Sequence, residues 1–230
     1  MFSESRATDR DVSKRLDVVA SYITLFSVVS YAAVIALLHI LRADFNPGYR
    51  YLSEYALGPY GALMTSSFFV LSIGSLALFF GLCRSVASRL HFVPGFVLWL
   101  TWVCAVFLAG IYTGDLQGTP HTRIGRIHDQ MGAIAFPSAT LAVLLLSLAL
   151  RWEKDWRSLW RPAMLLSVVA LASFLALDWF GQRDLGGLDQ RVFLAVMLTW
   201  MWIIGKRMQV IAKPCRVNSS RATPGKAANR

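Results

Sequence analysis

The sequence has few charged residues. They occupy 16% of its 230 positions, whereas hydrophobic residues occupy 56%. A soluble globular domain carries about 25% charged residues, so this composition excludes a conventional water-soluble domain. Cysteine is also scarce, with only Cys83, Cys104 and Cys215. None of the three falls in a segment that we expect to face the outside of a cell, so no structural disulfide is predicted.

Six long apolar runs account for most of the chain. Each approaches the roughly 20 residues that a helix needs to cross a hydrocarbon core of about 30 Å. Helix is predicted for all six, because an open strand edge would leave backbone groups unpaired in lipid. The predicted spans are Val18–Leu41, Ala62–Leu82, Phe92–Tyr112, Met131–Leu150, Met164–Phe180 and Val192–Ile211.

The predicted fold is all-α, a polytopic integral membrane bundle of six transmembrane helices. The chain divides into an N-terminal tail over residues 1–17, a six-helix transmembrane domain over 18–211, and a basic, disordered tail over 212–230. The first apolar run exceeds the ~7–15 apolar residues of a cleaved signal peptide. It is therefore predicted to remain as the first span.

Positive charge is unevenly shared between the two ends of the predicted bundle. With both termini in the cytoplasm, the inner segments hold 17 of the 23 Lys and Arg residues. This bias follows the positive-inside rule and predicts a multi-pass protein of the plasma or inner membrane of the cell. It also assigns the net charge of +10 to contacts with membrane lipids rather than with nucleic acid. The remaining six basic residues are Arg42, Arg50, Arg123, Arg126, Arg183 and Arg191.

The richest polar stretch connects spans three and four at the predicted outer face, with the sequence GDLQGTPHTRIGRIHDQMGA over residues 114–133. Thr119 and Pro120 have the pattern of a helix start, with threonine as the cap and proline in the first turn. Both a glycine groove for helix packing and a site for a lipid or small-molecule ligand fit this helix. Its shared face would carry two histidines and two glycines, namely His121, Gly125, His128 and Gly132.

Catalytic candidates centre on His128, because imidazole is the side chain that exchanges protons near neutral pH. Asp115 or Glu54, from other segments, would orient it better than the adjacent Asp129, which points elsewhere on a helix. Ser53 would complete a Ser–His–acid set, although no nucleophile-elbow glycine pattern surrounds it. The catalytic candidates are therefore His128, Asp115, Glu54 and Ser53.

Ligand-binding candidates form two further sets. Arg191, Gln190 and Arg126 are candidates for a substrate or an anion, although an ion pair between Asp178 and Arg191 that pins spans five and six is an equally good explanation. Haem is not expected, because His91 alone lies at the inner end. A divalent metal is a candidate cofactor, although the residues that could bind it lack the fixed spacing of a metal-binding signature. Its ligands would be His121, His128, Asp115 and Asp178.

Three stretches together resemble a known family: NPGYRYLSEYALG in the first connection, GDLQGTPHTRIGRIHD before span four, and GLDQRV at span six. Over roughly residues 18–210 the chain is similar to the bacterial and archaeal six-span family catalogued as domain of unknown function 998. The resemblance implies a six-span membrane fold but no activity. The family-like positions are Ser53, Glu54, Asp115, Thr122, Gly125, His128, Gln190 and Arg191.

Three functions fit this sequence. The polar residues can lock three helix hairpins together in a structural or accessory membrane protein. They can instead serve a membrane-embedded hydrolase or transferase that acts on a lipid or lipid-linked headgroup, with His128 as acid–base and Arg191 as an anion clamp. A small carrier ranks last, because the spans lack central charges and show no inverted repeat.

Overall fold

A computed structural model describes residues 2–87 and 89–212, and the long elements in this part of the chain are all helical. Six segments there are long and apolar enough to cross a membrane. The predicted all-α bundle of six membrane-spanning helices is therefore confirmed. The helices are α1 Phe2–Leu41, α2 Gly61–Ser85, α3 Val93–Ile111, α4 Arg123–Leu150, α5 Trp160–Gly181 and α6 Gly186–Ala212.

Several helices continue beyond the predicted spans. The first helix includes residues of the predicted N-terminal tail, α4 begins at Arg123 instead of near Met131, and α6 begins at Gly186 instead of near Val192. An apolar run marks the part of a helix that lies in lipid, whereas the backbone hydrogen bonds continue into polar sequence. Residues 213–230 lie outside the described residues, and Cys215 lies there with them. Neither Cys83 nor Cys104 forms a disulfide with another described residue.

The six helices form a closed ring, in which each helix packs against its neighbours in the sequence and α1 also packs against α6. Small residues permit the closest approaches. Thr24 Oγ1 on α1 donates to the Gly74 carbonyl on α2 at 3.1 Å. A Cβ on Gly74 would lie only 1.7 Å from Ser27 Oγ. Close packing of this kind drives helix association in a bilayer, because lipid competes equally well for large apolar side chains.

Three buried tryptophans, Trp99, Trp102 and Trp200, lie in the middle of the ring, and the indole N–H of each donates a hydrogen bond. Trp99 donates to the Ser75 carbonyl at 2.8 Å, and Trp102 donates to Ser75 Oγ at 3.3 Å. Trp200 donates to Ser147 Oγ at 2.9 Å. The bundle thus buries large aromatic surfaces without leaving these polar groups unpaired.

The two ends of the bundle differ in their connections. Because the helices alternate in direction, the connections after α1, α3 and α5 meet at one end, which we call the site end. It consists of residues 42–60, 112–122 and 182–185. At the opposite end basic side chains lie over tryptophan rings, as in the pair Arg151 and Trp152 at 4.0 Å. Such pairs are typical of a membrane interface.

Candidate functional site

Glu54 is a cross-link between two connections of the site end. It lies in a short 3-10 helix, Leu52–Ala56, and only 3% of its side chain is exposed. Its carboxylate accepts hydrogen bonds from Arg50 Nη1 at 2.8 Å, from the Tyr51 N–H at 2.9 Å and from the Gln117 N–H at 3.2 Å. Because Arg50 and Tyr51 belong to the first connection and Gln117 to the second, Glu54 holds the two together.

Arg191 and Gln190 connect the start of α6 to the same region. The Oε1 atom of Gln190 accepts from the Leu52 N–H at 2.6 Å. Arg191 uses four of its five N–H groups on the protein itself, which leaves little capacity for the predicted role as an anion clamp. Its acceptors are His39 Nε2 at 2.9 Å, the carbonyl oxygens of Arg50 at 2.8 Å and Gly187 at 2.7 Å, and Tyr55 Oη at 3.3 Å.

These buried contacts form one hydrogen-bonded unit, which we call the loop lock. It joins the first connection, the second connection and α6. The predicted ion pair of Arg191 with Asp178 stays a prediction, because the side chain of Asp178 lies outside the described part of the structure. The loop lock consists of Arg50, Glu54, Gln117, Gln190 and Arg191.

Asp115 stabilises the beginning of α4. Its carboxylate accepts from the Thr122 N–H at 2.6 Å and from Thr122 Oγ1 at 3.0 Å. Thr122 Oγ1 in turn accepts from the Gly125 N–H at 2.9 Å, which makes Thr122 the N-cap. A Cβ on Gly125 would lie 2.0 Å from Asp115 Oδ2, so the carboxylate can approach the helix only beside glycine. The negative charge therefore lies where the helix dipole is positive.

The predicted helix start at Thr119 and Pro120 is wrong. The helix begins at Arg123, and Thr119 Oγ1 instead donates to the Leu116 carbonyl at 2.7 Å in the preceding turn. Asp115 decides the outcome, because it binds both polar groups of Thr122 and neither of those of Thr119.

Two predicted site residues lie on the surface as a consequence. His121 precedes the helix and does not share a helix face with His128. The side chain of His121 is 64% exposed, and its Nδ1 lies 3.1 Å from Asp129 Oδ2. Arg126 is also exposed and donates to the His121 carbonyl at 3.1 Å. Neither His121 nor Arg126 lines the cavity described below.

His128 is buried and held in a defined orientation by the end of α3. Its Nδ1 lies 2.7 Å from the Tyr112 carbonyl oxygen and 3.2 Å from that of Ala109. Carbonyl oxygens only accept hydrogen bonds, so Nδ1 carries the hydrogen and Nε2 is left for other partners. A backbone carbonyl thus takes the orienting role that was predicted for Asp115 or Glu54. An imidazole oriented in this way is suited to proton transfer.

A cavity of about 290 Å³ lies between the six helices, and His128 forms part of its wall. The volume is close to the lower limit of about 300 Å³ for small-molecule sites. In the part of the chain that the structure describes, Ser53 Oγ forms no hydrogen bond, although Ser53 lines the same cavity. The apolar wall includes Leu71, Trp102, Val106, Phe136, Phe174 and Leu194, and the polar wall includes Tyr31, Tyr51, Ser53, His128, Asp129 and Gln190.

The α4 helix makes room for this cavity. Gly132 lines it, and a Cβ at that position would have no described atom within 4 Å. Pro137 lies inside α4 and also lines the cavity. Because proline has no N–H, the Ala133 carbonyl lacks its usual helical donor. Ala133 is itself a wall residue.

Three of the predicted metal ligands do not form a common site, and the side chain of the fourth, Asp178, lies outside the described part of the structure. His121 is exposed, Asp115 caps α4, and His128 is bonded to the end of α3. The described residues contain no group of three or more His, Cys, Asp or Glu side chains that could hold a metal ion. Of the predicted site residues, those that meet on the cavity wall are His128, Ser53 and Gln190.

Asp189 is a buried acid that is not among the predicted site residues. It lies in the first turn of α6 and is only 5% exposed. A helix dipole contributes at most about 2 kcal/mol to a carboxylate near the first turn, whereas burial of an unpaired ion costs several kcal/mol. The predicted span began at Val192, which placed Asp189 among the solvated acids of a loop. An acid one turn inside a helix that continues into apolar sequence was the signal that could have revealed it.

Fold and site together define the class: a multi-pass integral membrane protein whose helices enclose a cavity next to a hydrogen-bonded set of loops. The chain belongs to the family described as "Protein of unknown function (DUF998)", which it matches over residues 25–206. This match reaches from α1 into α6 and confirms the family resemblance. No curated protein and no solved structure matched the chain.

Proposed function

We propose that this protein binds one small amphipathic molecule from the membrane in the cavity between its six helices. The supporting observation is a cavity of about 290 Å³ with a mainly apolar wall, an oriented imidazole and a hydroxyl that has no hydrogen bond to the described residues. The apolar wall suits a hydrocarbon part, and His128 and Ser53 suit a polar group. The residues of the loop lock are assigned to structure, because they bond to one another and to the backbone.

His128 receives the polar group of the ligand in this proposal. Its Nδ1–H is committed to the Tyr112 carbonyl, so Nε2 is the ring atom available to accept a hydrogen bond or a proton. A ligand with a hydroxyl or another protonated group therefore fits better than one with acceptors only. Gln190 is less available, because its Oε1 already accepts from the Leu52 N–H.

The site end faces the outside of the plasma or inner membrane in this proposal. Its support is the distribution of charge, with 17 of the 23 Lys and Arg residues in segments of the opposite side. The ligand would accordingly enter from the outer leaflet or from the outer surface of the membrane. This geometry favours a ligand that comes from the lipids of the membrane.

Native mass spectrometry of the detergent-purified protein tests the binding proposal. The parent should carry a lipid-like molecule that is missing from Gly132→Leu, because a leucine at position 132 fills the open space of the cavity. Ala33→Leu is the matched control, since it adds the same side chain on an exposed face of α1. Absence of the adduct from the parent, or equal amounts in parent and Gly132→Leu, would contradict the proposal.

An enzyme of hydrolase or transferase type, acting on a lipid or lipid-linked headgroup, is the second candidate. The observation that favours it is the presence of the Ser53 hydroxyl and His128 on one cavity wall. Ser53 would be the nucleophile and His128 its general base. A fluorophosphonate probe should then label Ser53 in the parent and fail to label a folded His128→Asn variant. A folded parent that takes up no probe would argue against the enzyme.

A further inference from the structure

Asp189 lies at the contact of α5 and α6, outside the cavity wall to which its neighbour Gln190 belongs. Ser173 Oγ on α5 donates to Asp189 Oδ1 at 2.8 Å. Both residues are buried, Asp189 with 5% and Ser173 with 7% of the residue exposed. The second carboxyl oxygen, Oδ2, is buried and has no hydrogen-bond partner among the described residues.

No cation balances this carboxyl within the described part of the chain. Asp17, Asp44 and Glu54 pair with arginines elsewhere in the bundle, and Asp129 lies beside His121. Arg191, two positions further along α6, directs four N–H groups to His39, Tyr55 and two backbone carbonyls. On the approach to α6, the Arg183 guanidinium lies 3.6 Å from the centre of the Trp179 ring, and Asp184 is exposed.

An ionised Asp189 is strongly disfavoured in this environment. A buried carboxylate needs several hydrogen-bond donors or a counter-charge, and among the described residues the Asp189 side chain has a single donor, Ser173. The first turn of α6 supplies a favourable dipole, but the partial charge of a helix end compensates only part of the desolvation. A neutral carboxylic acid removes the charge and retains the Ser173 hydrogen bond.

We propose that Asp189 is a proton-binding site inside the membrane bundle, separate from the cavity. Oδ1 is the carbonyl oxygen that accepts from Ser173, and Oδ2 carries the proton, which comes from water. Ionisation requires water or a cation at Oδ2, and neither can reach this atom while α5 and α6 are packed together. Proton release is therefore linked to separation of these two helices.

Infrared difference spectroscopy of the full-length protein at neutral pH tests the site. The parent should show the carbonyl stretching band of a protonated carboxylic acid, and Asp189→Asn should lose it. Ser173→Ala should move the band to higher frequency, because the carbonyl oxygen loses its hydrogen bond. Asp44→Asn, which removes an acid whose side chain is 61% exposed, is the control and should leave the band unchanged.

A parent without an acid carbonyl band, or a band that persists in Asp189→Asn, would overturn the proposal. If Asp189→Asn does not fold, the Ser173→Ala variant tests the proposal instead. An acid carbonyl band that does not shift in Ser173→Ala would show that the proton lies on another residue. The result does not depend on any ligand in the cavity.

Discussion

The loop lock and the cavity wall are neighbours at the site end, yet their polar groups are used differently. In the lock, Glu54 accepts three hydrogen bonds and Arg191 donates four, all within the protein. On the wall, His128 binds the backbone through Nδ1 alone, and Ser53 Oγ binds no described residue. One atom of the lock is an exception among the described residues, because Gln117 Oε1 is buried without a hydrogen-bond partner. Polar atoms that face a cavity leave room for a ligand, whereas atoms bonded within the lock do not.

Two glycines of α4 show the same contrast. A Cβ on Gly125 would meet the Asp115 carboxylate at 2.0 Å, whereas a Cβ on Gly132 would meet no described atom within 4 Å. Gly125 is thus required for the cap, and Gly132 contributes empty volume. In the sequence, both glycines fit the same helical spacing, so the spacing alone does not distinguish these two roles.

The largest expected effect comes from removing the charge at the centre of the lock. Glu54→Gln leaves the partly buried Arg50 without its counter-ion, and breaking a buried pair in this way costs about 3 kcal/mol of unfolding free energy. Denaturant unfolding in detergent measures the loss. Asp129→Asn, at an exposed acid, should leave stability within error. Equal effects of the two substitutions would show that the lock is not the stabilising region.

A matched pair of alanine substitutions in α4 should give opposite results. Gly125→Ala forces Asp115 away from Thr122, and overpacking of this kind costs about 1–3 kcal/mol. Gly132→Ala enters open space and should stabilise the helix by about 0.5–1 kcal/mol, because alanine restricts the unfolded chain more than glycine does. Thermal unfolding of both variants tests this prediction. A Gly132→Ala variant as unstable as Gly125→Ala would contradict it.

Two substitutions of His128 distinguish the structural role of its Nδ1 hydrogen bond from the proposed role of Nε2 in ligand binding. His128→Ala leaves the Tyr112 carbonyl without its donor and should cost about 1–2 kcal/mol. His128→Asn retains an N–H near the position of Nδ1 and should be nearly as stable as the parent. Both variants lack Nε2, so both should lose the adduct in native mass spectrometry. Retention of the adduct by His128→Asn would exclude Nε2 as a ligand contact.

The smallest expected effect concerns an acid outside both regions. Hydrogen bonds from Arg42 hold the pKa of Asp44 below its ordinary value. A lowered folded-state pKa stabilises the protein above the unfolded-state pKa, and this contribution is lost as the pH falls through the folded-state pKa. The Asp44 side chain is 61% exposed, so the contribution is small.

Melting temperatures measured from neutral to strongly acidic pH test the Asp44 prediction. The difference between the parent and Asp44→Asn should shrink towards acidic pH. A difference that does not change with pH would rule out this ion pair as its origin.

Sequence patterns predicted the helices better than they predicted the site. The six apolar runs located the six helices of the described chain that are long and apolar enough to span a membrane. The family resemblance marked Thr122 and Gly125 as family-like positions, and the structure places both in the cap of α4. The local pattern at Thr119 and Pro120 was misleading, because a carboxylate at position 115 selects Thr122 as the cap. The role of Arg191 was hidden for a related reason, since its acceptor His39 lies 152 positions away in the sequence.

The sequence by itself determined that this is a multi-pass membrane protein, because the length and hydropathy of each span and the distribution of Lys and Arg are properties of local segments. Only the tertiary structure decided which polar residues hold the loops and which remain available to a ligand. The physical reason is that a hydrogen bond such as that between Gln190 and the Leu52 N–H joins residues 138 positions apart. Whether a buried polar atom has a partner therefore depends on how the six helices pack together.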